Sequence, residues 1–170
     1  IYAYISDGGI QEEISQGSGR IAGTLGLDNL VMFYDSNRIQ LSTETAAVDN
    51  EDVAAKYRAW NWKVIEIDGN DVVQIRAALD EALTVVGQPV LIIGNTVMGK
   101  GALRADGSSY ENCCATHGAP LGGEAYTNTI KALGGDVENP FAIFPETEAI
   151  YSSRREELKG IVAARKAAEA

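Results

Sequence analysis

The sequence predicts an α/β fold: an open parallel sheet with helices on both of its faces. Three observations predict it. Short apolar segments alternate with segments of helical periodicity, several of the apolar segments are continuous, and polar residues follow them directly. Continuous apolar strands are typical of a sheet that is buried on both faces, because each strand then presents apolar side chains in both directions. The repeated strand–helix–strand order implies parallel strands joined by right-handed crossovers.

Each predicted strand is a short apolar run that ends at polar or turn-forming residues. The four strands are predicted at residues 2–6, 30–34, 63–67 and 89–94. The second run, and the Val-Leu-Ile-Ile centre of the fourth, are continuously apolar, as expected for strands that are covered on both faces.

Helical periodicity predicts five helices, at residues 9–25, 51–60, 72–86, 124–133 and 146–168. In the first, Gly17, Gly19 and Gly23 indicate close packing against a neighbouring element, since glycine leaves room for it. In the third, apolar side chains fall at helical spacing on one face: Val72, Ile75, Leu79, Ala82, Leu83 and Val86. Residues 96–123 form a stretch far longer than an ordinary loop, which is typical of functional or disordered segments.

Composition and charge exclude several classes of function. The 170 residues suffice for one domain, and the formal net charge of −10 leaves no basic patch for nucleic acid or an anionic membrane. No apolar run has the length of a membrane span. Cys113 and Cys114 are adjacent and staple no loop, so we expect a reducing, cytoplasmic setting. Because the chain begins at Ile1, directly before the first predicted strand and without an initiator Met, we expect a piece of a longer protein whose fold is incomplete at the N-terminal side.

Polar residues follow the first two strands at their carboxyl ends, where open parallel sheets bind ligands. Asp7 comes directly after the first strand, and Gly8 and Gly9 then let a phosphate approach the start of a helix. The Asp7 carboxylate would repel that phosphate by about 4 kcal/mol for unit charges ~4 Å apart at an effective dielectric constant near 20. A divalent cation between them reverses the sign, and Asn37 offers a second oxygen ligand of the kind that Mg²⁺ accepts.

Each of these residues also has a simpler interpretation. Aspartate is favoured as a helix N-cap, and asparagine is common in turns. The pairing of Asp7-Gly8 with Asn37, across an intervening helix and strand, favours the metal interpretation over two unrelated local roles.

The residues around this pair resemble one enzyme family. Ser6-Asp7-Gly8 through Asn37 is similar to the thiamine-diphosphate motif that begins Gly-Asp-Gly and closes with Asn, with Ser6 in place of the first glycine. Nearly the whole chain resembles transketolases in particular, less so after Gly135. The segments that carry this resemblance are residues 11–15 (Gln-Glu-Glu-Ile-Ser), 22–30 (Ala-Gly-Thr-Leu-Gly-Leu-Asp-Asn-Leu), 33–37 (Phe-Tyr-Asp-Ser-Asn), 57–60 (Tyr-Arg-Ala-Trp), 96–101 (Thr-Val-Met-Gly-Lys-Gly) and 117–121 (His-Gly-Ala-Pro-Leu).

The resemblance implies a role for each residue of the motif. Asp7 and Asn37 bind a divalent metal ion through side-chain oxygens and Ile39 through its backbone carbonyl, and Asn37 thereby also binds the cofactor. The N–H of Gly8 binds the diphosphate, and Met98 packs near the cofactor. The implied cofactors are thiamine diphosphate and Mg²⁺, or another divalent cation such as Ca²⁺ or Mn²⁺.

The resemblance also assigns His117, the one histidine of the chain, to catalysis. It places the imidazole beside the diphosphate and the sugar hydroxyls, where it binds cofactor and substrate and transfers protons. Without this context, a lone histidine is more often structural or exposed. Glu12 matches a glutamate at the family's subunit interface, and its alternative is a solvated acid in the first turn of a helix. Residues 102–115 match the family poorly, which leaves substrate contacts there open.

The function implied by the resemblance is that of a transketolase, which moves a two-carbon ketol unit from a ketose phosphate to an aldose phosphate in the cytoplasmic pentose phosphate pathway. Its partners are sugar phosphates and a second copy of the subunit, whose pyrimidine-binding domain completes the site of a homodimer. Residues 1–135 would belong to the diphosphate- and metal-binding domain, and residues 136–170 would form a helical segment leading to the next domain.

Two other functions stay open at this point: a related thiamine-dependent synthase, and a non-catalytic cofactor-binding subunit or fragment of a split enzyme. In transketolases the glutamate that activates the cofactor's aminopyrimidine belongs to the other domain. We therefore expect this chain alone to be inactive.

Overall fold

The computed structural model describes residues 1–169, and within them four parallel strands form one sheet. The strands are β1 (Tyr2–Ser6), β2 (Val31–Ser36), β3 (Lys63–Asp68) and β4 (Val90–Asn95). Their order across the sheet is β1-β2-β4-β3. Every strand lies within two residues of its predicted bounds, so the predicted parallel α/β sheet is confirmed.

The strands are in register, so their carboxyl ends lie along one edge of the sheet. Ser6 is paired with Asp35, and Ser36 with Asn95. Asp68 is paired with Asn95 on the other side of β4. The segments that follow all four strands therefore leave from the same edge, as the sequence predicts for the ligand-binding side.

Seven helices lie within the described residues. They are α1 (Asp7–Gln11), α2 (Glu13–Leu25), α3 (Val53–Ala59), α4 (Val72–Ala82), α5 (Cys114–Gly118), α6 (Gly123–Ala132) and α7 (Pro145–Glu169), with a 3₁₀ turn at Thr45–Ala47. None of them is both long and apolar enough to cross a membrane.

Two clusters of buried side chains lie on opposite faces of the sheet. Leu91 and Ile93 of β4 belong to the cluster that includes residues of α1, α2 and α3. Val90 and Ile92 belong to the cluster that includes Ala78 and other residues of α4. Neighbouring residues of a strand point to opposite faces, so the continuous apolar sequence of β4 fills both cores. Helices on both faces are thus confirmed.

Glycines of α2 let the helix pack tightly against the segment after α3. A Cβ atom at Gly23 would stand 1.7 Å from the carbonyl oxygen of Trp60, and one at Gly19 would stand 3.3 Å from the Trp60 ring. The indole N–H of Trp62 also donates to the Gly19 carbonyl at 2.8 Å. Close packing is confirmed at Gly19 and Gly23 but is wrong for Gly17, where a Cβ would meet open space.

The predicted helix at residues 9–25 is wrong as one element, because the chain breaks at Glu12. Glu12 has an extended backbone, and its N–H bonds to the Gly9 carbonyl rather than one residue further back. The side-chain amide of Gln16 donates to the Gln11 carbonyl at 3.0 Å and so satisfies a carbonyl at the C-terminal end of α1. Glu12 is exposed at the junction of α1 and α2, and its place at a subunit interface stays a prediction.

The end of α4 and the long segment after β4 also differ from their predictions. The third predicted helix, α4, ends at Ala82, so Leu83 and Val86 do not extend its buried face and are 70% and 83% exposed. The Thr84 hydroxyl donates to the Glu81 carbonyl at 2.7 Å and competes with a further helical turn. The long stretch at residues 96–123 contains the short helix α5.

The chain divides into two compact units, Ile1–Thr129 and Ile130–Ala170. The first contains the sheet and both cores. The second contains the end of α6 and all of α7, whose described side chains are exposed or partly exposed. The predicted extent of the cofactor domain, residues 1–135 with a helical segment at 136–170, stays a prediction.

Candidate functional site

The first part of the site is the turn from β1 into α1. Ser6 is the N-cap of α1, and its hydroxyl accepts from the Gly9 N–H at 3.4 Å. Asp7 follows as the first residue of the helix and is only 2% exposed. The capping role therefore belongs to Ser6, and the Asp7 carboxylate is directed elsewhere.

The Asp7 carboxylate is held by the end of β2 and the loop that follows it. The Tyr34 hydroxyl donates to Oδ1 at 2.6 Å, and the N–H groups of Asn37 and Arg38 each donate to Oδ2 at 3.0 Å. Among the described residues no ion pair involves Asp7. Three donors use three of roughly four acceptor positions of a carboxylate, so capacity for one further partner remains.

Tyr34 is a site residue that sequence reasoning missed. It is 7% exposed, and burial, followed by the hydrogen bond to Asp7, raises the pKa of its hydroxyl far above the ordinary value. The phenol is therefore a neutral donor at physiological pH. A signal was present in the sequence, since a tyrosine within a buried apolar strand usually has a hydrogen-bond partner.

Asn37 and Ile39 bring two more oxygen atoms to the same edge. The Asn37 Oδ1 accepts from the Ile39 N–H at 3.0 Å, so the turn role foreseen for asparagine is realised, and a second lone pair stays free. Arg38 between them has a positive φ of 64°, which reverses the chain locally. The Ile39 carbonyl accepts no hydrogen bond from the residues that the structure describes.

Gly8 leaves room for a ligand beside the backbone. A Cβ atom at this position would meet nothing within 4 Å, whereas one at Gly9 would stand 3.0 Å from the Ile5 side chain. Because Gly8 lies in the first turn of α1, its N–H has no partner within the helix. Gly8 is exposed, and it directly follows the buried Asp7 in the first turn of α1.

A cavity of about 940 Å³ opens at the carboxyl ends of β2, β3 and β4. Asn37 and Ile39 line it, and Asp7, Gly8, Met98 and His117 do not. Its described charged residues are of both signs: Arg38, Lys100, Glu44, Glu66 and Asp68. The volume suits a small organic ligand, but a lining with this balance offers little net positive charge to an anion.

Hydrogen bonds connect the loops that surround this cavity. The Thr96 hydroxyl donates to the Asp35 carboxylate, which joins the end of β2 to the loop after β4. The Val97 N–H donates to the Asn70 Oδ1 at 3.2 Å, which joins that loop to the one after β3. The three loops therefore form a connected rim.

Met98 and His117 belong to the long segment after β4. The Met98 carbonyl accepts from the Asn112 N–H at 2.9 Å, and the Thr116 hydroxyl lies 3.0 Å from the position of a Cβ on Gly99. Thr116 of α5 therefore lies close to Gly99, and the residues just before α5 are bonded to Met98. His117 is exposed on α5, and no hydrogen bond within residues 1–169 joins its ring to another residue. The structure thus connects the Met98 and His117 segments, and among the described residues no hydrogen bond joins His117 to Asp7.

The oxygen atoms at the edge fit a hard divalent cation. No group of three or more His, Cys, Asp or Glu side chains able to hold a metal ion occurs in the described part of the chain. One carboxylate, one amide oxygen and one backbone carbonyl, with the remaining positions left to phosphate or water, are a ligand set typical of Mg²⁺. The residues present therefore fit a metal-bridged phosphate.

A family model described as "Transketolase, thiamine diphosphate binding domain" matches residues 1–168. The chain belongs to the transketolase family. It is 36% identical over 155 residues to transketolase 2 of Xanthobacter flavus, and the aligned region covers 91% of this chain and 22% of that relative. It is 38% identical over 154 residues to transketolase 2 of Escherichia coli, and that aligned region covers 90% of this chain and 22% of the relative.

Solved transketolases share the fold. A Pichia stipitis transketolase in complex with sedoheptulose-7-phosphate superimposes with a TM-score of 0.86 at 31% identity, over 94% of this chain and 23% of that one. The chain therefore spans less than a quarter of the length of the transketolases described here. The predicted family and its thiamine-diphosphate-binding fold are confirmed.

Proposed function

We propose that this transketolase chain holds the diphosphate of thiamine diphosphate through a divalent cation at the carboxyl edge of its sheet. One observation carries the proposal: the buried Asp7 carboxylate, beside the open Gly8 backbone, is hydrogen-bonded to the loop that presents Asn37 and Ile39. The ends of two neighbouring strands thus combine an anion, neutral oxygen atoms and an N–H donor.

Charge supports a bridging cation rather than direct binding of the diphosphate. Asp7 is buried without an ion-pair partner among the described residues, and the nearby cavity has basic and acidic side chains in similar number. A diphosphate beside an uncompensated carboxylate is repelled, whereas Mg²⁺ attracts both. Asp7, Asn37 and the Ile39 carbonyl would hold the metal ion, Ca²⁺ and Mn²⁺ being alternatives to Mg²⁺, and the Gly8 N–H would hold a phosphate oxygen.

The activity proposed for the whole protein is transfer of a two-carbon ketol unit from a ketose phosphate to an aldose phosphate. Bound thiamine diphosphate supplies the carbanion chemistry of that transfer. The residues of this chain would bind and orient the cofactor, Met98 would pack near it, and His117 would lie beside the diphosphate and the substrate hydroxyls and transfer protons. The Pichia stipitis complex supports sugar phosphates as substrates. The working unit is proposed to be a homodimer in the cytoplasm.

Calorimetric titration of the full-length protein with thiamine diphosphate, with Mg²⁺ or with EDTA, tests the proposal. We expect Mg²⁺-dependent binding in the wild type and loss of at least ~100-fold in affinity in Asp7→Asn, because a metal ligand and its charge are removed. Asp80→Asn, which removes the same charge from an exposed position on α4, is the matched control and should bind normally. Equal affinities in Asp7→Asn and the wild type would refute the proposal.

A coupled assay with a ketose phosphate and an aldose phosphate then tests the reaction. Wild type and Asp80→Asn should transfer the ketol unit, and Asp7→Asn should not at cofactor concentrations that saturate the wild type. Tight cofactor binding without any ketol transfer by the full-length protein would contradict the transferase function and favour a non-catalytic role.

A further inference from the structure

Two adjacent free thiols, Cys113 and Cys114, have no role in the proposed function. Both side chains are half-buried, so they retain access to solvent. Cys113 is the N-cap residue of α5, and Cys114 is its first helical residue. The short helix that begins at these thiols ends in the turn that carries His117.

The spacing of the two residues selects the chemistry that they can support. Adjacent Cα atoms across a trans peptide are about 3.8 Å apart, whereas disulfides usually need about 4.4–6.8 Å. A direct bond between Cys113 and Cys114 is therefore strained. A third atom bound to both sulfurs avoids the strained direct S–S bond, and soft, thiophilic elements prefer sulfur ligands. The pair is suited to chelation rather than to oxidation.

Hydrogen bonds of the backbone connect the segment that carries the two thiols to the residues on either side of it. The Cys113 carbonyl accepts from the Thr116 N–H at 2.9 Å and from the Thr116 hydroxyl at 2.6 Å. The preceding residue, Asn112, donates its N–H to the Met98 carbonyl. A change in the backbone at Cys113 therefore acts on the start of α5, between the Met98 anchor and His117.

We propose that Cys113 and Cys114 form a dithiol site for trivalent arsenicals, and that its occupation displaces α5 and His117. The two thiols condense with an organoarsenous oxide: two S–H bonds are replaced by two As–S bonds, and the oxide oxygen leaves as one molecule of water. No electron is transferred. Closing the ring fixes the side-chain and backbone torsions of both residues, which competes with the helical start that Cys114 provides.

Native mass spectrometry of the full-length protein with phenylarsine oxide tests the binding step. We expect an adduct whose added mass equals phenylarsine oxide minus one water. Treatment with 2,3-dimercaptopropanol should remove it, and peptide mapping should place it on residues 113–114. Cys113→Ser and Cys114→Ser should each lose it, because a single thiol forms no ring. An adduct that persists at this peptide in both single variants, or its absence from the wild type, would overturn the proposal. Mapping on the wild type keeps the test valid if a variant fails to fold.

The imidazole NMR signal of His117, assigned by its loss in His117→Ala, tests the conformational step. The arsenical should shift this signal in the wild type and leave it unchanged in the Cys113→Ser/Cys114→Ser double variant. A confirmed adduct with an unshifted signal would contradict the coupling. The adduct mass and the His117 signal can both be measured whether or not the proposed function is correct. Only the further expectation that the arsenical lowers ketol transfer rests on the proposed function.

Discussion

The hydroxyl of Tyr34 donates a 2.6 Å hydrogen bond to Oδ1 of Asp7, and both residues are buried. Tyr34 lies in β2 and Asp7 directly follows β1, so the bond joins the ends of two neighbouring strands. The other carboxylate oxygen is occupied by two backbone N–H groups. Tyr34 therefore fixes the rotation of the carboxylate that we assign to the metal.

Tyr34→Phe should destabilise the fold and weaken cofactor binding together. Removing the hydroxyl leaves a buried carboxylate oxygen without its donor, which costs about 1–3 kcal/mol of the free energy of unfolding. The freed carboxylate also loses its fixed orientation toward the metal. Guanidinium unfolding and calorimetric titration with Mg²⁺ and thiamine diphosphate measure the two effects.

The control for this substitution is Tyr2→Phe, which removes the same hydroxyl from a side chain that is 69% exposed. It should change the free energy of unfolding by less than about 0.5 kcal/mol. If Tyr34→Phe were as stable and bound cofactor as tightly as Tyr2→Phe, the positioning role would be wrong.

Gly23→Ala should destabilise the fold far more than Gly17→Ala, although both glycines lie in α2. At Gly23 the new methyl group would stand 1.7 Å from the Trp60 carbonyl oxygen, so α2 and the segment after α3 must separate, at a cost of about 3 kcal/mol or more. At Gly17 the methyl group meets open space and should stabilise the helix by about 0.5–1 kcal/mol. Denaturant midpoints of the two variants test this difference, and equal midpoints would contradict the packing described here.

Tyr57→Phe should stabilise the protein, by about 1 kcal/mol at neutral pH, because it removes a polar group that is buried without compensation. Within residues 1–169 the Tyr57 hydroxyl has no hydrogen-bond partner, and the residue is fully buried. Thermal or chemical unfolding measures the change, and a clear loss of stability would show that the hydroxyl has a partner.

The same residue predicts a pH dependence. Burial raises the pKa of Tyr57 from 10.0 to about 12. The folded chain therefore keeps a proton that the unfolded chain releases in this window, and the free energy of unfolding falls as the pH rises from 10 to 12. The contribution is fully present below pH 10. Wild type and Tyr57→Phe, unfolded at a series of pH values, should diverge across this window, and parallel curves would contradict the assignment.

His117→Ala should lower ketol transfer by the full-length protein by about 10²–10⁴-fold, the usual range for a lost general acid or base. The residue is exposed and makes no side-chain hydrogen bond within the described chain, so the free energy of unfolding should hardly change. Steady-state kinetics with unfolding as the control measures both. A variant with full activity would return His117 to the class of exposed, non-catalytic histidines.

The sequence predicted the sheet well because strands buried on both faces have continuous apolar sequences, as β4 does. It failed at helix ends, since these depend on single hydrogen bonds. Glu12 splits the first helix because its N–H bonds to Gly9, and Thr84 competes with the continuation of α4. Hydrophobic periodicity contains no information on such local bonds.

The candidate site was predicted in the same uneven way. The rule that ligands bind at the carboxyl ends of parallel strands predicted that Asp7 and Asn37 lie together, and in the structure the Asn37 N–H donates to the Asp7 carboxylate. The partner of Tyr34 was not foreseen, because a strand pattern shows which residues are buried and not which side chains meet. The position of His117 relative to this pair was predicted by resemblance alone.

Anomalous diffraction from crystals of the full-length protein grown with Mn²⁺ and thiamine diphosphate tests the central claim most directly. We predict a manganese peak within about 2.6 Å of the Asp7 carboxylate, the Asn37 Oδ1 and the Ile39 carbonyl oxygen, with diphosphate oxygens completing the coordination. Bound thiamine diphosphate with no manganese at these three atoms, or with the ion held by other residues, would contradict it.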